Sequence, residues 1–484
     1  MSSKQSFVIS RFSSHLTAAF LLSAVLAAQA MAQQNVPGGG TPPPAGAGGP
    51  PPMGGFSSTV NFTPGIYVKD GVYLPDKSIP STVTGKNLGN KSASGISITS
   101  KQDDFNGIYV KGNKSIYTLA DSEITLYGNG SNDFTGIGSG IMADGGATVI
   151  LKNVKITTNG VISPAAVSAN GSTLRVYDSV FKIHGGTLPK GYVAKIGPGM
   201  MEPPAPLGIT GTARGVLTLG DSKSYYYNTT LIADGWGALS TDMAGNSVYV
   251  EANNCDIETV KSGYGTYADG MTHVVINDSK IRSATYVAIL AGSGELKLTN
   301  SDAVAVANGF MIHNVVDATQ AAGLSIVGGK TVSDGPVILV KSANATIDIA
   351  NSELESKSGI LMRSIVNTDA NTAKTTASVQ GIRATFKDMN LKGNILHEDL
   401  SRSMSLTLKN TTLKGAVHGA EISLDESSKW TATENSDVTL VGKMEIARID
   451  AGAGVKISAK AGMSSNLKGH YQLASGGRLD VETN

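Results

Sequence analysis

One short apolar frame recurs along most of this chain and constrains its fold more than any other feature. In the stretch from Ala147 to Ile156, Val149 and Leu151 alternate with polar residues, Asn153 follows, and Ile156 is again apolar. Each copy reads as a short strand with alternating inward residues, an Asn or Asp corner, and a further inward residue. The corner residues of the copies are Asp121, Asn153, Asp178, Asn228, Asp278, Asn300, Asn351, Asp388 and Asn410.

The spacing of these corners indicates a solenoid. Some intervals between corners are short, and others are about twice as long. Val248 and Val250 begin a copy that halves the long interval before Asp278, while Leu324, Ile326 and Gly328 halve the one before Asn351. The underlying period is about 22 to 28 residues and contains short β-runs without an amphipathic helix, which predicts an all-β, parallel β-helix. Asn and Asp suit the corners because they tolerate the left-handed backbone conformation.

The N-terminal residues have the composition of an export signal followed by a tether. Lys4 and Arg11 precede an apolar run from Leu16 to Ala28, and Ala30-Met31-Ala32 offers a small-residue cleavage site. This pattern predicts a signal peptide over residues 1–32. Residues 33–57 are rich in Gln, Gly and Pro, which predicts a disordered or polyproline-like tether. We therefore expect a protein that is secreted or displayed at the cell surface, with the periplasm as the alternative.

The remainder, residues 58–484, is predicted to be one parallel β-helix domain. Residues 58–116 read as N-terminal coils and a cap, because the open end of a solenoid must be covered. Two stretches break the period and are predicted to leave the rod as loops: the proline-rich residues 186–215 and the Thr- and Ala-rich residues 366–381. Residues 416–484 are predicted to be the C-terminal coils of the same domain.

Charge and cysteine content exclude several classes of function and of stabilisation. The formal net charge is +1 over 484 residues, which does not favour a nucleic-acid partner. Cys255 is the only cysteine, so no intramolecular disulfide can form. No stretch after the signal peptide is long and apolar enough to predict a transmembrane helix. Toward the C-terminus the repeat tightens, and Ile422 and Leu424 are predicted to be equivalent to Val438 and Leu440.

The C-terminal coils carry a specific resemblance. In the segment Ser427–Val438, a small-residue corner is followed by Trp430-Thr431-Ala432-Thr433, a polar turn and a short apolar strand. This segment resembles one found near the end of bacterial autotransporter passenger domains. The resemblance implies a right-handed, single-stranded parallel β-helix of the pectin-lyase-like kind. The chain runs to Asn484 without the alternating strands of a translocator barrel, so we expect a passenger-type rod released by another route.

Polar residues at the ends of the second strands are the candidates for catalysis. Histidines and carboxylates brought together on one face could act as acid and base or bind a metal. The same residues could instead be solvated side chains that satisfy their own turns. No metal site or cofactor is predicted, since no ligand spacing supports one. The catalytic candidates are His313, Asp317, Asp369, His397, Asp399 and Arg402.

Two glycine-flanked aromatic residues suggest a binding platform. Gly235-Trp236-Gly237 and Gly263-Tyr264-Gly265 are local duplicates one repeat apart, and Tyr286 follows one shorter repeat later. A row of aromatics on successive coils, with Asp242 and Asp269 behind them, would suit the apolar faces of sugar rings. The alternative is an internal aromatic stack that fills the coil. Both interpretations stay open at the level of sequence.

The sequence leaves three functional classes. The first is an exported, non-enzymatic β-helix that binds a surface, a matrix component or a glycan, in the manner of an adhesin. The second is a polysaccharide lyase or glycoside hydrolase on the same fold. The motif of polygalacturonases is only partly present, because the paired aspartates expected between Asn367-Thr368-Asp369 and His418-Gly419 are missing. The third is a purely structural rod. The partner expected for the first class is a polysaccharide or a cell-surface glycan.

Overall fold

The computed structural model describes residues 63–85, 87–195, 199–242, 247–313, 320–368 and 380–483. The predicted signal peptide and tether lie outside these residues, as do Asp317, Asp369 and most of the second excursion. Over the described residues the chain is a parallel β-helix in which each full coil adds one strand to each of three stacks. The all-β solenoid predicted from the corner spacing is confirmed.

The first stack is parallel throughout. Its strands are Thr63–Lys69, Phe105–Lys111, Ile141–Asp144, Ala166–Ser168, Arg214–Leu219, Gly237–Asp242, Tyr264–Asp269, Tyr286–Ala291, Asn308–His313, Ile338–Lys341, Ile360–Ile365 and Asn394–His397. The second stack follows in each coil. Its strands are Ser92–Ser94, Ile116–Leu126, Thr148–Thr158, Thr173–Tyr177, Lys223–Tyr227, Val248–Asn253, Thr272–Asn277, Glu295–Thr299, Ala321–Val327, Asn344–Ala350, Ile382–Lys387, Met404–Lys409, Val417–Leu424, Ser436–Leu440, Lys456–Ala461 and Arg478–Thr483.

The third stack comes after the Asn or Asp corner, and Ile116–Leu126 and Thr148–Thr158 run through the corner into it. Its other strands are Ser97–Ser100, Val180–Ile183, Thr230–Ala233, Asp256–Thr259, Lys280–Ser283, Asp302–Ala305, Lys330–Ser333 and Glu353–Ser356, followed by Asn390–Lys392, Thr412–Lys414, Lys429–Ala432 and Ile449–Ala451. Short 3-10 turns lie at Pro75–Lys77, Pro80–Thr82, Ala205–Leu207 and Ile446–Arg448.

Antiparallel strands cover the two ends of the rod. At the N-terminal end, Val72–Tyr73 folds back on the first strand, Val83–Thr84 pairs with Ser97–Ser100, and Asn87–Leu88 pairs with Ser92–Ser94. At the C-terminal end, Gly469–Gln472 pairs with the last strand of the second stack. These pairings occupy strand edges that would otherwise offer unpaired backbone groups to another chain.

The inward columns of the repeat form the core. Val149, Leu151 and Ile156 are fully buried, and the apolar cluster they belong to runs from the first coil to the last. Ile349 belongs to the same buried cluster and is 1% exposed. Cys255 is buried in this core, where burial raises the pKa of its thiol to about 11, so the thiolate is scarce at neutral pH.

The corner residues adopt the conformation that their chemistry favours. All nine predicted corners have positive φ between 45° and 55°. Their side chains also bond along the rod: the Asn153 amide donates to Asp121 at 2.7 Å, and the Asn410 amide donates to Asp388 at 2.7 Å. The halved intervals are confirmed as well, since Val250 pairs with Val274 and Leu324 with Ile347.

One expected equivalence is wrong. The second-stack register pairs Val438 with Ala420 and Leu440 with Ile422, so the repeat is longer here than the apolar pattern predicts. The strand Val417–Leu424 continues the first stack at its start and the second stack at its end, and the register shifts between His418 and Ala420. An apolar pattern alone does not reveal this irregularity, because the alternation of inward residues resumes after it.

We expect the corner at Asn228 to depend on its backbone angle. Its φ is 51°. Its side-chain amide nitrogen donates to the Asp178 carboxylate at 3.0 Å, and its side-chain amide oxygen accepts from the Asn254 side chain at 2.8 Å. Asn228→Ala should lower the free energy of unfolding by about 1–2 kcal/mol, because an alanine is strained at positive φ. Asn228→Gly loses the same side-chain bonds without that strain and should cost less. Equal denaturation midpoints for the two variants would show that the angle contributes nothing.

Candidate functional site: a tyrosine patch on the second stack

The structure brings three of the described catalytic candidates, His397, Asp399 and Arg402, together but leaves His313 apart from them. His313 lies beside Ala291 and Lys341 on the outer side of the first stack, because its neighbour Ile312 faces the core. His397 pairs instead with Ser364, and Ser364 pairs with the core residue Val340 in the strand before it. The His397 side chain therefore faces the inside of the coil. The two histidines are therefore on opposite sides of the sheet and three strands apart, a distance of about 14 Å along the rod.

His397, Asp399 and Arg402 form a compact group that closes a turn. The Asp399 carboxylate accepts the Ser401 hydroxyl at 2.5 Å and lies 3.4 Å from the Arg402 guanidinium. His397 Nε2 lies 2.9 Å from the Arg402 carbonyl oxygen. Asp399 is fully buried and the other two are at most 8% exposed. Several of their polar atoms bond within the turn itself, whereas His397 Nδ1 and Arg402 Nε are buried without a hydrogen-bond partner.

The glycine-flanked aromatics are buried, but outside the coil interior. Trp236, Tyr264 and Tyr286 belong to an apolar cluster separate from the core, together with Ile289 and Met311. Ile289 and Met311 pair with each other on the outer side of the first stack, because residues before and after them face inward. The trio therefore lies on the outer face of the sheet.

The first excursion, residues 186–215, covers this outer face. Met200 and Ile209 of the excursion pack into the same cluster as Trp236. The backbone amide of Trp236 donates to the Thr210 carbonyl at 2.7 Å, and the amide of Thr210 donates to the Ser262 hydroxyl at 2.8 Å. Trp236 has φ of 62° and is 2% exposed. The predicted sugar platform thus lacks free ring faces while the excursion is in place.

A buried ion cluster lies against the same aromatics. The Arg214 guanidinium contacts the carboxylates of Asp133 and Asp242, the latter at 2.9 Å, and its centre lies 5.2 Å from the Trp236 ring. Burial raises the pKa of Asp133, and Arg214 offsets only part of that effect. Burial alone would lower the pKa of Arg214, but the two carboxylates outweigh it and keep the guanidinium charged. The cluster joins residues from three separate stretches of the chain.

The carboxylates predicted to accompany the aromatics lie near Tyr267. Burial raises the pKa of the Tyr267 phenol well above its usual value, and the charges of Asp269 and Asp242 raise it further. Tyr267 in turn packs against Tyr264 with ring centroids 5.4 Å apart. Trp236, Tyr264, Asp242 and Asp269 thus lie in one neighbourhood, in which the excursion covers the two rings while both carboxylates are partly exposed.

Four tyrosines and an arginine on the outer face of the second stack are partly exposed to solvent. We call this group the tyrosine patch; it consists of Arg175, Tyr177, Tyr225, Tyr227 and Tyr249. Tyr177 pairs with Tyr227 in the next coil, and Arg175 pairs with Tyr225. The Tyr177 and Tyr227 rings stack at 5.0 Å with an angle of 8°. The Arg175 guanidinium lies 4.6 Å from the Tyr225 ring centre, and Tyr249 packs on Tyr225 at 5.7 Å.

Hydrogen bonds fix the downstream border of the patch. The Tyr249 hydroxyl donates to one oxygen of Glu251 at 2.7 Å, and the Asn253 amide donates to the other at 2.8 Å. Asn253 is held in turn by the Asn277 amide at 2.9 Å. Arg175 has a ring contact but no carboxylate partner in the described part of the chain. The patch therefore presents ordered ring edges, phenol hydroxyls and one guanidinium that no carboxylate neutralises there.

The sequence contained a signal for this patch. Tyr177 and Tyr227 each stand immediately before a corner residue, Asp178 and Asn228. Equivalent positions in successive coils lie side by side, so the two tyrosines had to be neighbours. The long interval between the two corners conceals this relation. The predicted excursion, residues 186–215, is an insertion in a single coil except for its last two residues, which begin the strand Arg214–Leu219, so no further coil lies between the two tyrosines.

The comparisons with known proteins give no family for this chain. No protein-family profile matches it, and no curated protein matches it significantly. Within the described ranges, no helix is both long and apolar enough to cross a membrane. The same residues contain no group of three or more His, Cys, Asp or Glu side chains arranged to hold a metal ion.

Proposed function

We propose that this chain is an exported, non-enzymatic β-helix that binds an extended ligand, such as a cell-surface or matrix glycan, on the tyrosine patch. The tyrosine patch is the observation that carries this proposal. Tyr and Arg are among the residue types enriched where proteins bind partners, because they combine contact area with hydrogen-bonding groups. The signal-peptide pattern and the passenger-like segment around Trp430 support export.

The geometry of the patch favours a ligand that spans several coils. Its five residues come from three successive strands about 4.8 Å apart, and each strand contributes at least one tyrosine, although Tyr249 is in register with Lys223 rather than with Tyr225. The faces of Tyr177 and Tyr227 are stacked on each other. Recognition would therefore use their hydroxyls and ring edges together with the Arg175 guanidinium, which suits a hydroxyl-rich polymer.

We expect Tyr227→Ala to weaken ligand binding several-fold. Each aromatic contact of this kind contributes about 1 kcal/mol, and the loss of Tyr227 also removes the ring that orders Tyr177. The measurement is a glycan array, followed by titration of the best ligand with the wild type and the variant. Tyr127→Ala serves as the control, because Tyr127 is 50% exposed and lies outside the patch. Equal losses in both variants would remove the patch from the binding site.

The enzymatic alternative is tested with the same samples. The protein is incubated with each polysaccharide that it binds, and the solution is assayed for new reducing ends and for unsaturated ends. Binding without either product is the expected result. Release of such ends, abolished by substitution at His313 or His397 in a protein that still folds, would make the protein a hydrolase or lyase and overturn the proposal.

A further inference from the structure

Two exposed lysines extend the tyrosine patch into a row of positive charges. Lys152 lies on the strand before the patch and pairs with Tyr177, and Lys223 pairs with Tyr249 on the strand that follows it. We propose, building on the function proposed above, that Lys152, Arg175 and Lys223 bind acidic groups of the ligand. The patch then selects an acidic polysaccharide over a neutral one.

The three cations lie on a diagonal across three successive strands. Lys152 is in register with Tyr177, and Arg175 lies two residues before that tyrosine. Lys223 is in register with Thr173, which lies two residues before Arg175. Each step along the diagonal therefore combines one strand spacing of about 4.8 Å with two residues of about 3.3 Å each, so the backbone positions of neighbouring cations are about 8 Å apart.

The tyrosines form a second diagonal beside the first, because each cation has a tyrosine at the same register position on the next strand. The three pairs are Lys152 with Tyr177, Arg175 with Tyr225, and Lys223 with Tyr249. An extended polymer that follows both diagonals would meet a cation and a phenol about every 8 Å. A polysaccharide with an acidic group on each repeating unit offers anions and hydroxyls at regular intervals along its length.

No ion pair joins the three cations to a carboxylate among the described residues. Two carboxylates of the same coils are held by other groups. Glu251 accepts from the Tyr249 hydroxyl and the Asn253 amide, and Asp178 accepts from the Asn228 amide. A row of like charges on a surface attracts ligands of opposite charge and raises their local concentration. The diagonal is therefore available to an external polyanion.

The arrangement of the rings favours a sugar polymer over a single-stranded nucleic acid. Bases bind such proteins by stacking on open aromatic faces. The rings of Tyr177 and Tyr227 stack on each other, and Arg175 lies over the ring of Tyr225, so one face of each ring is already occupied. The hydroxyls of a polysaccharide can bond to the phenol hydroxyls at the ring edges without an open face.

Dextran and its charged derivatives test this inference on the mature chain, because their sugar backbone is the same and only the acidic groups differ. We expect dextran sulfate or carboxymethyl-dextran to bind about tenfold more tightly than neutral dextran, since several exposed ion pairs act together. Comparison of the two derivatives shows whether the cations prefer sulfate or carboxylate. Added salt should weaken this binding, because exposed charges are screened. The measurement is calorimetric titration with each polymer.

Charge reversal locates the contribution of each lysine. Lys152→Glu and Lys223→Glu should each weaken binding of the charged polymer about fivefold, with unchanged circular dichroism, because each replaces an exposed attraction by a repulsion. Lys297→Glu is the matched control. Lys297 is exposed on the same outer face, in register with Arg175 and four strands beyond it, so this variant should bind as the wild type does.

Several results would overturn the inference, and they separate it from the proposed function. Equal affinity for dextran and its charged derivatives, or no binding of either derivative, would show that the patch does not select acidic groups. If Tyr227→Ala then still weakens binding of a neutral glycan, the proposed function stands. Binding of the charged polymers that neither the lysine variants nor Tyr227→Ala weaken would overturn both. A single-stranded oligonucleotide bound as tightly, through the same lysines, would show that the diagonal recognises charge alone.

Discussion

Ile349→Asp should destabilise the rod by about 4 kcal/mol or more, because a carboxylate would be buried without a partner. Ile349 is 1% exposed and stacks between Ile326 and Phe386 in an inward column of the second stack. Neither neighbour offers a hydrogen bond to a carboxylate. The measurement is the midpoint of unfolding in denaturant, followed by circular dichroism of the β signal.

Two control variants test whether the loss of stability comes from burying a charge or from substitution at any position of the strand. Thr346→Asp places the same side chain on the same strand at an exposed position that pairs with Arg383, so it should change stability by no more than about 0.5 kcal/mol. Lys152→Ala, also exposed, should have a similarly small effect. If Ile349→Asp and Thr346→Asp shift the midpoint equally, the assignment of inward and outward columns is wrong.

Trp236→Ala should lower the free energy of unfolding by about 3–5 kcal/mol, because the removal of a buried aromatic ring leaves a cavity. The ring lies between the outer face of the first stack and the first excursion, and Arg214 packs against it. Alanine would also have to keep the positive φ that Trp236 adopts. The measurement is again the unfolding midpoint.

Trypsin gives an independent readout of the same variant. The exposed Lys190 and Lys195 lie in the first excursion, so loss of the Trp236 contact should speed cleavage there while the rod stays intact. Tyr127→Ala, at an exposed site, should leave both the midpoint and the cleavage rate unchanged. Wild-type stability together with weakened glycan binding would contradict a packing role and restore the sugar platform. Lost stability with unaltered binding would end that platform.

The sequence by itself determined the repeated part of the fold. The left-handed corner at Asn153 and the inward side chains of Val149 and Leu151 are local properties, set by side-chain chemistry and by the two-residue period of a strand. Nine corners read from the sequence therefore all adopt positive φ. The same local information carried the adjacency of Tyr177 and Tyr227, although an insertion within one coil hid it.

Only the tertiary structure decided what covers each face of the rod. Nothing near Trp236 in the sequence shows whether it faces the core, solvent or a distant segment, because Gly235 and Gly237 permit all three. Its burial depends on Met200 and Ile209 and on an ion cluster that joins Asp133, Arg214 and Asp242 across more than a hundred residues. A local pattern specifies backbone conformation and strand register, but the packing of a non-repeating segment depends on contacts that no periodic signal encodes.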